Sequence, residues 1–446
     1  MSTVRKSDLA TGLAEGIQQS RQGVIAELRA PALIVEDVAG RCVAVAGRES
    51  DLATADLAQL GGAGLQQRPF QLGELLGIEL EVETELPAIR HEADDDRCVP
   101  DRSYPEGMPA KTATNLHDPG ADSAAATFDG SPDVAANPFP AEGGGTIRIG
   151  TASWTDPTMT AAGVFYPSGA DSAEERLQYY ASRFPLVEVD ATYYSLPARR
   201  TSELWVERTP PDFIFDIKAH ALMTGQPTET KRLPKALREA LPGELAEKNR
   251  LYAKDLPDEL KDDVWAWFAD GLEPLAEAGQ LGSILLQYPR WFFTSSENRD
   301  TIEDAVDRLR RVGMTPAVEF RNATWFNEKN IERTLTFLGD RQIPLVMVDG
   351  PQGLKSSVPA ISAATSPELA VVRFHGRRAE TWEAQNIKTV ERFRYLYDEG
   401  ELEEWVPRVR EAAAQTKQTH VLFNNCYANY GATNALMLAE LLQDLD

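Results

Sequence analysis

From Thr146 onward, eight short apolar runs alternate with helical patterns, and this rhythm constrains the fold more than any other feature of the sequence. The runs are TIRIGTAS, PLVEVDAT, DFIFDIKAH, GSILLQYP, PAVEFRN, IPLVMVDG, AVVRFHG and THVLFNNC. Each is rich in β-branched or aromatic residues, the composition of a strand buried on both faces. Most gaps hold segments of helical periodicity, such as SAEERLQYYASRF, NRDTIEDAVDRLRRVG and IERTLTFLGDRQ. Strand and helix in alternation imply parallel strands joined by helical crossovers. Eight such units over about 300 residues predict an α/β fold, a (β/α)8 TIM-type barrel with an N-terminal extension, rather than an open doubly wound sheet. No GxGxxG turn follows the first strand, which weakens a dinucleotide-binding alternative.

The preceding residues have a different texture. Residues 1–90 form a small segment of unspecified fold. Within it a helix is expected up to Leu28, followed by two strands in ALIVEDVAGRCVAVAG around a turn at Ala39–Gly40. Residues 91–145 are dominated by Asp, Pro, Gly, Ser and Ala and read as an acidic flexible linker. Residues 146–446 hold the barrel. One insertion, residues 223–280 with Trp265, Trp267 and Phe268, interrupts its rhythm and is expected to place extra helices over the barrel mouth.

Charge and cysteine usage narrow the partners. The formal net charge is −24 over 446 residues, which disfavours nucleic acid as a partner because phosphate binding needs cationic surface. A small-molecule ligand is expected instead. No stretch reaches the roughly 20 apolar residues of a membrane helix, and the start, MSTVRKSDLATGLAEG, lacks the apolar core of a secretory signal. Cys42, Cys98 and Cys426 are odd in number and scattered, which suits a reducing cytoplasm. The oligomeric state is not set by these features.

Alternation along barrel strands sorts the polar residues. Outward side chains meet the helices and are apolar, so their neighbours point inward. By this rule Glu188 and Asp190, Asp216 and Lys218, Glu319 and Arg321, and Arg373 and His375 face the axis. Gln287, Asp349, Asn424 and Asn425 sit at the ends of three more runs, Asn425 on the face of Phe423. Barrel enzymes build their sites at the C-terminal ends of strands. For Glu188, Asp216 and Arg148, deeper inside, pairs such as Glu188–Arg148 or Asp216–Lys218 are the plainer structural expectation. Trp154, Tyr193, Tyr194, Trp325 and Trp382 follow strands closely enough to wall a ligand or to plug the barrel.

The ordered motifs GTASW, FYP, VEVDATYYSLPARRTSELWVERTP, FIFDIKAH, LLQYP, VEFRNATW, VRFHGR and LFNNCYANYGATNA resemble the YecE-like family, domain of unknown function family 72. The resemblance covers roughly residues 147–444 and implies a TIM-type barrel without implying an activity. It carries family motif positions onto Lys218, Gln287, Glu319, Arg321, Asp349, Arg373, His375, Asn424 and Asn425. Two departures stand out: Ser153 replaces the usual glycine before Trp154, and Asp190 stands where asparagine is frequent.

These residues favour an isomerase, lyase or hydrolase acting on a small anionic or sugar-like metabolite. Glu319, His375, Lys218 and Asp349 are the expected catalytic groups, with Glu319 and His375 exchanging a proton and Lys218 stabilising an oxyanion or forming a Schiff base. Arg321 and Arg373 supply planar forks for a carboxylate or phosphate. Gln287, Asn424, Asn425, Tyr193 and Trp325 complete the expected binding set. Glu319 and Asp349 could also serve a glycosidase if suitably spaced. No organic cofactor is expected. The alternative enzyme reading is metal-dependent hydrolysis, possibly of a phosphodiester, with Asp190, Glu319, Asp349 and His375 holding a divalent ion. A non-catalytic ligand-binding barrel is the remaining alternative.

Overall fold

The computed structural model describes the backbone of residues 25–27, 32–36 and 42–46, and residues 134–443 apart from 162, 355, 385, 386 and 388. The chain divides near residue 94 into two units, which are taken separately.

In the first unit, Ile25–Glu27, Ala32–Glu36 and Cys42–Ala46 form a three-stranded antiparallel sheet. Leu33 pairs with Val45 in the antiparallel register of the second and third strands, and the turn expected at Ala39–Gly40 lies outside the described residues. The helix expected up to Leu28 is corrected at its end, because Ile25–Glu27 is a strand paired with Leu33–Val35. The sequence supplies a reason, since a proline at 31 disfavours helical backbone in the residue before it. The rest of that helix and most of the expected linker lie outside the described residues.

The second unit is the barrel. Its parallel strands are β1 (Thr146–Thr151), β2 (Leu186–Val189), β3 (Ile214–Lys218), β4 (Leu281–Gln287), β5 (Thr315–Glu319), β6 (Val346–Asp349), β7 (Leu369–Phe374) and β8 (Gln418–Phe423). They run in one sheet in the order β5-β4-β3-β2-β1-β8-β7-β6. A single parallel bridge, Val318 to Leu345, joins the two ends. Each of the eight runs read from the sequence supplies one strand.

Helices cover the outside: α1 (Ala173–Ala181), α2 (Arg199–Arg208), α3 (Asp258–Glu277), α4 (Ser296–Arg311), α5 (Ile331–Asp340), α6 (Val406–Ala414) and α7 (Tyr430–Gln443). Their starts are legible locally. Ser172 and Glu175 form a reciprocal capping box on α1, and Ser295 caps α4 by accepting the Asn298 amide. On α4, Ile302, Ala305, Val306 and Leu309 fall at helical spacing and are buried. The connection from β6 to β7 contains no helix among its described residues.

The insertion divides differently from expectation. It begins with a short hairpin, Thr228–Glu229 against Arg250–Leu251, and two one-turn helices, Lys235–Glu239 and Gly243–Ala246. The aromatic cluster belongs instead to α3, which is the β3-to-β4 crossover itself, with Phe268 fully buried. Helices α2 and α3 approach closely. A Cβ on Gly271 would lie 2.3 Å from the Pro197 carbonyl oxygen, and Ser202 Oγ donates to the Gly271 carbonyl at 2.6 Å. No helix among the described residues is long and apolar enough to cross a membrane.

Candidate active site at the barrel mouth

Strand alternation brings one belt of polar side chains together at the C-terminal strand ends. Glu319, the last residue of β5, is fully buried and is held from four sides. Arg321 Nε lies 2.5 Å from its Oε1, Gln287 Nε2 donates to the same oxygen at 2.8 Å, and Arg373 Nη1 donates to Oε2. His375 Nε2 stands 3.3 Å from Oε1. Burial would raise the Glu319 carboxyl, but Arg321 and Arg373 outweigh it and hold it well below the usual carboxylate range. Gln287 reaches it because β4 and β5 pair in register at these two residues.

Arg373 is buried between two carboxylates. Its Nη2 donates to Glu188 Oε1 at 2.5 Å, while Nη1 goes to Glu319. Glu188 differs from Glu319 in one respect: its Oε2 is buried without a hydrogen-bond partner. Burial pushes its carboxyl up to about 8 against the pull of Arg373. A neutral carboxyl suits that unpartnered oxygen better than an ionised one. The pair anticipated with Arg148 does not form, and Glu188 is bound to Arg373 instead. Asp216 is likewise bonded to His420 Nδ1 at 2.9 Å and to Ser283 Oγ at 2.9 Å, not to Lys218.

His375 is neutral in these surroundings. Burial and then Arg321 lower its pKa to about 3. Its Nδ1 lies 2.9 Å from Asn424 Nδ2 and its Nε2 lies 3.1 Å from Arg321 Nη2. Lys218, at the end of β3, pairs with Asp190 at 2.8 Å and lies over the Tyr193 ring at 5.2 Å. Tyr193 donates to Gln226 Oε1 at 3.0 Å, and Gln226 Nε2 donates to the Gln287 carbonyl at 3.1 Å. Burial raises the Tyr193 phenol to about 12, so it remains a donor.

Above this belt opens a cleft of 530 Å³. Arg321, Gln287 and Gln226 line it, with Trp291, Trp382 and Phe393 as aromatic walls. Arg290 and Arg392 add positive charge against the single carboxylate of Glu383. The Arg321 guanidinium lies over the Trp382 ring at 5.2 Å. In a chain of net charge −24, a cleft with three arginines is a local reversal of sign.

Residues 148–445 match the family model described as "Protein of unknown function DUF72". The chain belongs to the DUF72 family. Over 305 residues it is 32% identical to the UPF0759 protein YunF of Bacillus subtilis (strain 168), covering 66% of this chain and 94% of that relative. Among solved structures it resembles a DUF72 family protein of Enterococcus faecalis V583, at 26% identity and a TM-score of 0.53, over 66% of this chain and 95% of the other. It also resembles one from Thermotoga maritima MSB8, at 30% identity and a TM-score of 0.51, over 67% of this chain and 99% of the other.

Within this DUF72 barrel, the structure gathers Lys218, Gln287, Glu319, Arg321, Arg373, His375, Asn424 and Tyr193 into one network. It does not bring in Asp349, Asn425 or Trp325. Asp349 stands opposite Phe374 in the register of β6 and β7, and Phe374 packs against Trp405 on the outer face. Its carboxylate accepts from Arg377 Nη2 at 2.9 Å, Tyr397 Oη at 2.7 Å and Trp405 Nε1 at 2.7 Å. Asn425 donates to the Tyr395 carbonyl and to Asn434 Oδ1. Trp325 is fully buried in a stack with Phe320 and Phe292. Among the described residues no group of three or more His, Cys, Asp or Glu side chains is arranged to hold a metal ion, so the four expected ligands are not assembled. The glycosidase pairing of Glu319 with Asp349 meets the same obstacle, since Asp349 faces the helices. Gln226, Arg290, Trp291, Arg392 and Phe393 were not singled out from sequence. They lie in loops, in the insertion and, for Arg392, at the end of the one-turn helix Thr389–Arg392, where no strand alternation assigns a face.

Proposed function

We propose that this DUF72 barrel is an enzyme that binds a small anionic metabolite at Arg321 and moves a proton on it through the Lys218–Asp190 pair. The observation that carries this reading is the mounting of Arg321. Glu319 holds Nε, His375 meets Nη2 and Trp382 supports the plane, while Nη1 makes no hydrogen bond within the described protein and its residue lines the cleft. A guanidinium fixed before ligand arrives loses little freedom on binding, which is the arrangement that anion sites exploit.

The burial of Glu319 and His375 changes their expected part. Glu319 has both oxygens engaged by cations, and His375 accepts from Arg321 at Nε2 with Nδ1 turned to the Asn424 amide, so neither is poised to exchange a proton with a ligand. They act as positioning residues for Arg321 in this reading. Lys218 and Asp190 retain 14% and 28% of their side-chain exposure, and Tyr193 connects them to the cleft wall through Gln226. An ammonium and a carboxylate in contact can give and take a proton in turn, as an isomerase or lyase requires. The scattered cysteines favour a reducing cytoplasm as its compartment.

The test is calorimetric titration of a panel of small carboxylates and phosphates into wild type, Arg321→Gln and Lys218→Met, followed by NMR of the bound compounds in D2O. Binding to wild type and Lys218→Met but not Arg321→Gln, with deuterium exchange or turnover only in wild type, supports the proposal. Binding by wild type and Lys218→Met without exchange or turnover in either would replace the enzyme with a ligand-binding barrel. An anion held equally by Arg321→Gln, or none held at all, overturns the site.

A further inference from the structure

We infer that the ligand of this cleft is a hydroxylated anion of sugar-acid or sugar-phosphate type, its anionic group on Arg321, a hydroxyl on Gln287 Oε1 and its carbon face against the aromatic walls. The inference rests on the anion site proposed above and goes on to name its ligand class.

The charge of the belt comes first. Lys218, Arg321 and Arg373 are cationic, and Asp190 and Glu319 oppose two of them. Glu188 completes the group, with one oxygen on Arg373 and the other buried and unpartnered. Its carboxyl, lifted by burial to about 8, adds no charge near neutrality. The belt is therefore net positive, and in the cleft above it Arg290 and Arg392 outnumber Glu383, so the charge calls for an anion, a carboxylate or a phosphate.

The hydrogen-bonding sense of Gln287 comes second. Ionised Glu319 can only accept, so the Gln287 group turned toward it must be Nε2, the assigned orientation. Oε1 is thereby left as an acceptor, and no protein group among the described residues donates to it. A ligand at Gln287 must bring a donor, which a hydroxyl supplies and a plain alkyl acid does not. Gln226 cannot substitute, because its amide is already committed to Tyr193, Thr224 and the Gln287 carbonyl.

The walls come third. Trp382 lies under the Arg321 guanidinium, and Trp291, 54% exposed, and Phe393 line the same cleft. Aromatic faces beside polar edge groups suit a molecule whose C–H face is apolar and whose rim is hydroxylated.

The experiment is isothermal titration of the full chain with D-gluconate, D-glucuronate, hexanoate, sorbitol and D-glucose 6-phosphate, repeated with Arg321→Gln. Gluconate, glucuronate or glucose 6-phosphate is expected to bind at least ten-fold more tightly than hexanoate and sorbitol and to lose that binding in the variant, the preference between sugar acid and sugar phosphate telling a carboxylate ligand from a phosphate. Hexanoate binding as tightly, still through Arg321, would overturn the ligand class while sparing the anion site. If no carboxylate or phosphate binds, this inference and the proposed function fall together. The ranking of the ligands is read on wild type alone, and thermal unfolding of Arg321→Gln checks that the variant is folded before its loss of binding is counted.

Discussion

Arg321 Nε lies 2.5 Å from Glu319 Oε1, so the guanidinium that lines the cleft is mounted on a carboxylate two residues earlier in the same chain. Extended backbone puts such residues on one face, and no loop movement is needed to bring them together. Arg373 then ties that mount to Glu188 across the barrel. Glu319 serves two guanidinium groups, whereas Glu188 serves one.

This asymmetry gives the first expectation. Glu319→Gln leaves Arg321 and Arg373 without their shared counter-charge and should destabilise the barrel by about 3–5 kcal/mol. Glu188→Gln resembles the neutral carboxyl already present and should cost less than half as much. Urea unfolding at pH 7 measures both. Equal losses would show that Glu188 is ionised.

Histidine burial sets the acid limb of stability. His220 Nδ1 accepts the Leu222 amide at 3.4 Å, and Nε2 is buried without a partner, so a second proton is unwelcome. Burial lowers its pKa from 6.5 to about 4. The unfolded chain thus binds a proton that the folded one refuses, and the stability present above pH 6.5 is lost as pH falls toward 4. The loss per such histidine approaches about 1.4 kcal/mol per pH unit within that window, and His375 extends it to about 3. His220→Asn retains an acceptor for Leu222 and should flatten the slope of urea midpoint against pH.

Asp349 should behave as a structural residue. Asp349→Asn removes the charge that Arg377 and the Tyr397 and Trp405 donors share, at about 3 kcal/mol. Anion affinity of the folded fraction should stay within about two-fold of wild type, since a small packing adjustment outside the site is worth a fraction of 1.4 kcal/mol. Thermal unfolding and titration of the same preparation test it. A ten-fold loss of affinity at unchanged stability would return Asp349 to the site.

Gly271 inverts an ordinary rule. Alanine in a helix interior usually gains about 1 kcal/mol over glycine. Here its Cβ would meet the Pro197 carbonyl at 2.3 Å, so Gly271→Ala should instead cost about 1–3 kcal/mol by forcing α2 from α3. The denaturation midpoint decides between the two signs.

Much of this was legible in the sequence because barrel strands alternate faces. In PAVEFRN and AVVRFHG the apolar neighbours Val318, Phe320, Val372 and Phe374 fix the face, and Glu319, Arg321, Arg373 and His375 follow inward. In LVMVDG every neighbour of Asp349 is apolar, so alternation is silent, and only the register with Phe374 shows that it faces the helices. Trp325 was misread for a related reason. It follows a strand, but a 3₁₀ turn at Ala323–Trp325 carries it into the stack behind Phe320. The partners of Arg373 lie 185 and 54 residues away, and nothing local announces which carboxylates it takes.

The join between β5 and β6 has a consequence of its own. Val318 N–H reaches the Pro344 carbonyl at 2.9 Å, and beside it the Leu345 amide is satisfied by Thr365 Oγ1 rather than by a ladder. Every other neighbouring pair of strands shares a multi-residue register. A cylinder closed by one rung opens there first, like a cask at its loosest stave. The amides flanking Val318 and Leu345 are then the first of the barrel to exchange with solvent. New chain ends cut beside this join would interrupt the ladder where it is thinnest, which makes it the natural origin for a circularly permuted form.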